Sequence, residues 1–163
     1  MKFKKSAYQF LVRGLISLGE VVNAGCAKRA REELDLDQEP NEYVVTEDLV
    51  YTSNDWNDEL HGDLYLPSVE DAKSLPVVLL VHGGGWAEND NRYQMKKLAK
   101  AIVEQGFAVF SITYRLAPEH RFPAQVDDVL EALRWLNDQA DKYQLDVGKT
   151  SIFGYSAGGQ KYL

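Results

Sequence analysis

Short apolar runs separated by turn residues predict a series of β-strands in the middle of the chain. Residues 43–52 alternate between apolar and polar positions and residues 60–66 form a second run, so these two segments predict an antiparallel pair. Residues 76–81 are continuously apolar, which is typical of a strand buried on both faces of a parallel sheet. Residues 107–112 form a similar buried run, and a β-prone segment at 150–153 predicts a further strand.

Two stretches between these strands have the apolar spacing of amphipathic helices. Residues 91–105 place apolar side chains on one helical face, and Gly106 supplies a C-terminal stop. A second helix is predicted to begin at Pro123, because proline suits the first helical turn, and to end near Tyr143. Its expected buried stripe consists of Val126, Val129, Leu130, Leu133, Leu136 and Ala140.

The order of these elements predicts an α/β fold, with a mostly parallel sheet and an antiparallel hairpin at its start. This domain is expected to cover residues 43–163. Ligands in such sheets bind beyond the carboxyl ends of the parallel strands. The loops that follow residues 81 and 154 are therefore the first places to look for a functional site.

Residues 1–42 differ from the rest of the chain. Apolar residues at roughly helical spacing predict an amphipathic, lid-like helix, and the acidic residues 32–42 predict a linker. The alternative is an atypical secretory signal that ends at Cys26, which would export the protein or anchor it to lipid. Arg13 and Glu20 interrupt the apolar region, so a cytoplasmic location is favoured. The segment is too short and too charged for stable membrane insertion.

The overall composition narrows the possible functions. The chain has 163 residues, 45% of them hydrophobic and 26% charged, which is ordinary for a soluble globular domain. A net charge of -7 would repel a phosphate backbone, so no nucleic-acid partner is expected. The single cysteine excludes an intrachain disulfide. Since the three histidines lack metal-ligand spacing, no metal is expected.

The segment 154–158 fits the pattern G-x-S-x-G, which describes a strand that turns sharply into a helix with a serine at the apex. Gly154 and Gly158 let the strand and the helix approach each other closely. The start of the helix directs N–H groups towards the place where an oxyanion would form. Ser156 is therefore the predicted nucleophile, and the amide of Ala157 is a predicted oxyanion donor.

A glycine-rich loop at residues 82–86 follows the buried strand that ends at residue 81. Three consecutive glycines let backbone N–H groups face a ligand without obstruction by side chains. Their spacing fits neither phosphate-binding pattern, G-x-x-x-x-G-K-[ST] or G-x-G-x-x-G. The loop and Ser156 are instead expected to share one pocket. The predicted oxyanion donors are Gly83, Gly84 and Ala157, and the predicted supporting residues are His82, Gly85, Gly154 and Gly158.

A serine hydroxyl beside backbone N–H donors indicates acyl transfer at an ester carbonyl. The hydroxyl also needs a histidine base, and in this fold the acid and the histidine follow the serine in the chain. Residues 157–163 contain neither. His82 is expected to anchor its loop by hydrogen bonds, and His120 lies in a crossover, so neither is favoured as the base. This chain alone is therefore expected to lack the triad acid and histidine and to be inactive.

Together these motifs resemble the α/β-hydrolase superfamily, specifically the hormone-sensitive-lipase-like and bacterial feruloyl-esterase-like esterases. The resemblance covers about residues 43–159, the N-terminal portion of a typical family domain. It implies Ser156 as the nucleophile, small carboxylic esters as substrates and no cofactor. The segments that carry it are residues 82–86, 114–119, 122–124, 132–136 and 154–159, together with Asp128.

Two alternatives to an esterase stay open from the sequence. A serine peptidase of the prolyl-oligopeptidase type also uses a G-x-S-x-G-G elbow, although the loop at 82–86 and the crossover at 114–119 favour the esterase. A non-catalytic or inert truncated hydrolase-like protein is the second alternative. The sequence makes no prediction of the oligomeric state.

Overall fold

The computed structural model of the protein describes residues 41–56, 58–68, 74–87 and 92–159. Within these ranges the strands are β1 (Tyr43–Val50), β2 (His61–Pro67), β3 (Leu75–Val81), β4 (Ala108–Ile112) and β5 (Leu145–Gly154). The helices are α1 (Arg92–Val103), α2 (Ala124–Asp138) and α3 (Ala140–Tyr143), followed by a 3₁₀ turn at Ser156–Gly159.

The strands form one mixed sheet in the order β1-β2-β4-β3-β5. β1 is antiparallel to β2, and β2 is antiparallel to β4. β3 lies parallel to both of its neighbours, β4 and β5. The predicted α/β fold and the antiparallel hairpin at its start are confirmed. Since β3, β4 and β5 run in one direction, the chain leaves all three strands at the same edge of the sheet.

β3 forms the centre of the core because helices cover both faces of the sheet. Val77, Leu79 and Val81 are fully buried in a cluster that includes Val129 and Leu136 of α2. The alternate residue Leu80 is also fully buried, on the other face. On that face α1 packs against β4, β2 and β3, and its buried apolar residues are Met95, Ala99, Ile102 and Val103.

The buried face of α2 differs from the predicted stripe. Leu130 was expected inside but is 46% exposed, and α2 ends at Asp138, before a separate short helix, α3. The prediction for Leu130 is wrong because polar residues of α2 are buried and turn the helix about its axis. The buried residues of α2 are Gln125, Asp128, Val129, Glu131, Ala132 and Leu136.

β5 is longer than the predicted segment at 150–153 and begins at Leu145. Its pairing with β3 is interrupted, since Pro76 pairs with Asp146 whereas the next residue, Val77, pairs with Thr150. Residues 147–149 thus form a bulge without partners on β3. The polar and glycine residues of this bulge hid the first half of the strand in the sequence pattern.

A buried ion pair fixes the crossover between β4 and α2. Arg115 contacts the fully buried Asp128 through Nη2 at 2.7 Å and Nε at 2.8 Å, and its backbone amide donates to the same carboxylate at 2.8 Å. The indole N–H of Trp56 adds a fourth donor at 3.1 Å. The Asp128 carboxylate thus accepts from four donors. A buried charge is stable only when it is paired and hydrogen-bonded in this way.

Several sequence predictions concern residues outside the described ranges. These are the lid-like helix or signal ending at Cys26, and the linker up to residue 40; the domain limits at residues 42 and 43 therefore stay predictions. No helix in the described part of the chain is long and apolar enough to cross a bilayer.

Replacement of Arg115 by Met is expected to lower the unfolding midpoint strongly. The change leaves the Asp128 carboxylate buried without its counter-charge. Removing one partner of a buried pair costs about 3–5 kcal/mol. Urea unfolding of the full-length natural polypeptide measures the effect. The matched control is Lys96→Met, which removes the exposed pair with Glu47 and should leave the midpoint almost unchanged. Equal midpoints for the two variants would show that the Arg115–Asp128 pair does not stabilise the fold.

Candidate active site

Ser156 is the first residue of the 3₁₀ turn that follows β5, and only Tyr155 separates it from the strand. Its φ of 51° is left-handed, a conformation that residues with a side chain seldom adopt. Such a conformation costs on the order of 1–3 kcal/mol and persists only where the surroundings enforce it. The Tyr155 amide donates to the Val81 carbonyl at 3.1 Å, which ties the turn to the end of β3. Ser156 is exposed at this turn within the part of the chain that the structure describes.

Two glycines make this turn possible because other backbone segments occupy the space of a side chain. A Cβ atom added at Gly154 would collide with the backbone of Gly158. At Gly158 it would lie 2.5 Å from the Val81 carbonyl oxygen and 2.7 Å from that of His82. The turn therefore packs directly against the end of β3 and the first residue of the glycine loop.

The glycine loop that leaves β3 comes directly beside Ser156. A Cβ atom added at Gly83 would lie 3.2 Å from the Ser156 Cβ and 3.0 Å from the Tyr155 carbonyl oxygen. The backbone then turns through positive φ angles of 129° at Gly84, 59° at Gly85 and 68° at Trp86. The structure thus brings together the loop and the serine, although their residues are far apart in sequence.

His82 is buried at the base of the loop, with 1% of its surface exposed. Its Nδ1 lies 2.6 Å from the Gly83 carbonyl oxygen. Because a carbonyl oxygen can only accept, Nδ1 carries the proton and donates. The ring of Tyr114 stacks on the His82 ring, with 4.3 Å between centroids and an interplanar angle of 16°. His82 is therefore held inside the loop.

Tyr114 connects the loop to the segment that follows β4. Its hydroxyl donates to the His82 carbonyl at 2.9 Å, and its side chain is almost completely buried. Burial raises the pKa of Tyr114 to about 12, so the hydroxyl keeps its proton at neutral pH. Sequence reasoning did not assign a role to Tyr114. The available signal was its position just beyond a buried parallel strand, at the same sheet edge as the loop.

A backbone hydrogen bond fixes the far end of the loop. The Ala117 amide donates to the Trp86 carbonyl at 2.7 Å, and the Trp86 ring lies 5.5 Å from that of Tyr114. Ala117 lies two residues beyond Arg115, so the buried ion pair of the crossover also supports the loop. The loop is thus held at both of its ends.

The remaining predicted residues lie in two groups. Ala157 is 5% exposed and follows Ser156 in the 3₁₀ turn, whereas a Cβ at Gly85 would point into open space.

The other two histidines pair with carboxylates. His120 pairs with Asp58, with 3.7 Å between Nε2 and the carboxylate oxygen, and His61 pairs with Glu59 at 3.4 Å. Among the residues that the structure describes, no hydrogen bond joins Ser156 to a histidine, and no acidic, cysteine or histidine cluster could hold a metal ion. The catalytic roles assigned from the sequence stay predictions.

Comparison with protein families gives a match that includes the whole arrangement described above. Residues 62–161 match the BD-FAE family. This range is more than half of the chain and contains β2 from its second residue onward, the glycine loop, the crossover and the turn at Ser156.

Two curated relatives of the chain are named for the hydrolysis of esters. Carboxylesterase NlhH of Mycobacterium tuberculosis is 42% identical over 94 residues, which are 57% of this chain and 28% of that protein. Ethyl acetate hydrolase of Pseudomonas putida is 32% identical over 162 residues, which are 94% of this chain and 51% of that protein. The chain therefore spans about half the length of this relative, or less in the case of NlhH.

A solved esterase structure also resembles the chain. Esterase B from Lactobacillus rhamnosis superposes with a TM-score of 0.63 and 27% identity, over 96% of this chain and 47% of that one. The family match, the related carboxylesterases and this structural likeness agree with one another. The chain belongs to the BD-FAE family, and with it to the α/β-hydrolase esterases of the hormone-sensitive-lipase-like type.

Proposed function

We propose that Ser156 is the nucleophile of a serine carboxylic ester hydrolase, and that the amides of Gly83, Gly84 and Ala157 form its oxyanion hole. The observation that carries this proposal is the closeness of the glycine loop to Ser156, since a Cβ atom added at Gly83 would lie only 3.2 Å from the Ser156 Cβ. A carbonyl attacked by the serine hydroxyl would meet the backbone of the loop on its other side. Donors in such a position stabilise the charge that develops in the transition state.

The reaction proceeds through a covalent intermediate. The Ser156 oxygen bonds to the ester carbonyl carbon, its proton passes to a base, and the carbonyl electron pair moves to the oxygen in the hole. When the pair returns, the bond to the alcohol breaks and the alcohol takes the proton from the base. Water then attacks the acyl-enzyme in the same way and releases the carboxylic acid. Each oxyanion donor contributes about 3–4 kcal/mol, judged from the loss of one donor in a measured case.

We assign neither the base nor the acid of this mechanism to a residue among these 163. His82 uses Nδ1 to hold the loop, while His61 and His120 pair with the carboxylates of Glu59 and Asp58. Without a base the rate falls on the order of a millionfold, as in triad knockouts. We therefore propose that these 163 residues alone bind the carbonyl group but do not turn over substrate.

The proposed substrate class rests on the names of the relatives. One relative is called a carboxylesterase and another an ethyl acetate hydrolase, names that support a small carboxylic ester. No step of the proposed reaction requires a metal or an organic cofactor.

We expect a fluorophosphonate probe to label Ser156 in the full-length natural polypeptide. That protein should also hydrolyse p-nitrophenyl acetate and leave a prolyl-arylamide intact. Ser156→Ala should abolish both labelling and hydrolysis while the protein stays folded. Mass spectrometry of the labelled peptide identifies the site. Cleavage of the arylamide in preference to the ester would favour the peptidase, and a folded protein without labelling would favour an inert hydrolase-like protein.

Gly83→Ala is expected to lower kcat about 10²–10³-fold, the effect of losing one oxyanion donor. Its new methyl group would press against the Tyr155 carbonyl and the Ser156 Cβ, so the loop must move away from the serine. Ester hydrolysis by the full-length polypeptide measures the effect. The matched control is Gly148→Ala in the bulge of β5, where the new atom would meet only the Asp146 side chain, at 3.3 Å. A Gly83→Ala enzyme with the kcat of the control would contradict the proposed oxyanion hole.

A further inference from the structure

We infer that Tyr114 is a positioning residue for the oxyanion hole, because its hydroxyl fixes the orientation of the peptide unit that carries the Gly83 amide. The inference rests on the proposed ester hydrolase function. Tyr114 is almost completely buried, and its hydroxyl bonds to the backbone of the glycine loop.

The peptide bond is planar, which couples the direction of its carbonyl to that of its N–H. The His82 carbonyl and the Gly83 N–H belong to one trans peptide unit, so they point in opposite directions. The Tyr114 hydroxyl donates to that carbonyl at 2.9 Å. The hydrogen bond therefore keeps the Gly83 N–H directed away from Tyr114. A rotation of this unit that turned the Gly83 N–H would have to break the bond.

The next peptide unit along the loop is held in the same manner. The Gly83 carbonyl accepts a hydrogen bond from His82 Nδ1 at 2.6 Å, and the same unit carries the Gly84 N–H. Tyr114 also supports this second unit, since its ring stacks on the His82 ring that makes the bond. Both predicted loop donors thus depend on Tyr114, one through its hydroxyl and one through its ring.

Such external support is needed because the loop has little stiffness of its own. Glycine has no Cβ to restrict rotation, and Gly84 adopts a φ of 129° that other residues rarely adopt. A donor aimed at an oxyanion is effective only when its direction is set before the reaction. The His82 carbonyl also faces Gly158. The hydrogen bond from Tyr114 to this carbonyl therefore lies where the glycine loop meets the turn at Ser156.

Tyr114→Phe is the direct test, in the full-length natural polypeptide. It removes the hydroxyl and keeps the ring, so kcat should fall on the order of tenfold, less than for complete loss of a donor, with KM within about twofold. Inactivation by a fluorophosphonate, whose adduct places an oxygen in the hole, should slow by the same factor. 4-Aminophenylalanine at position 114 keeps the ring and offers an N–H donor, and should restore kcat. If Tyr114→Phe does not fold, 4-methylphenylalanine takes its place.

Tyr65→Phe is the matched control, since Tyr65 is also buried but lies in β2, away from the loop. Burial raises the pKa of Tyr65, like that of Tyr114, to about 12. The control should keep the wild-type kcat. Wild-type kcat in Tyr114→Phe, or an equal loss in the phenylalanine and aminophenylalanine variants, would overturn the inference alone. A wild-type protein without esterase activity would overturn the proposed function and the inference with it.

Discussion

The site depends on direct contact between two stretches of backbone, the glycine loop after β3 and the turn at Ser156. The residues at the points of contact are glycines without side chains. Gly83 faces Tyr155 and Ser156, and Gly158 faces the carbonyl groups of Val81 and His82 at the carboxyl end of β3. Protein interiors are packed so closely that one added methyl group would separate the two segments. This contact also enforces the left-handed conformation of Ser156, which the residue would not adopt on its own.

Support for this contact extends to a buried charge in the crossover. The Asp128 carboxylate accepts hydrogen bonds from the side chain and from the backbone amide of Arg115. Two residues further on, the Ala117 amide donates to the Trp86 carbonyl at the end of the loop. Tyr114 holds the beginning of the loop from the same segment. The crossover therefore supports both ends of a loop whose glycines would otherwise rotate freely. In this way the buried ion pair of Arg115 and Asp128 contributes to the geometry of the site.

The sequence could predict the features whose cause is local. The continuous apolar run of β3 indicates burial on both faces, and the spacing of Gly154, Ser156 and Gly158 indicates a sharp turn. Leu130 was misplaced because the orientation of α2 is decided by the distant pairing of Asp128 with Arg115. The role of Tyr114 was missed for a similar reason, since it depends on a hydrogen bond to His82, far away in sequence. The first half of β5 was missed because the bulge at residues 147–149 interrupts the apolar pattern of the strand.

A crystal structure of the full-length polypeptide with a phosphonate bound covalently to Ser156 tests the central claim most directly. The adduct places a tetrahedral oxygen where the oxyanion would form. Our account predicts that this oxygen lies within hydrogen-bonding distance, about 2.7–3.2 Å, of the amide nitrogens of Gly83, Gly84 and Ala157. A phosphonyl oxygen that points into solvent, or towards donors from other segments, would contradict the claim that the glycine loop and Ser156 form one site.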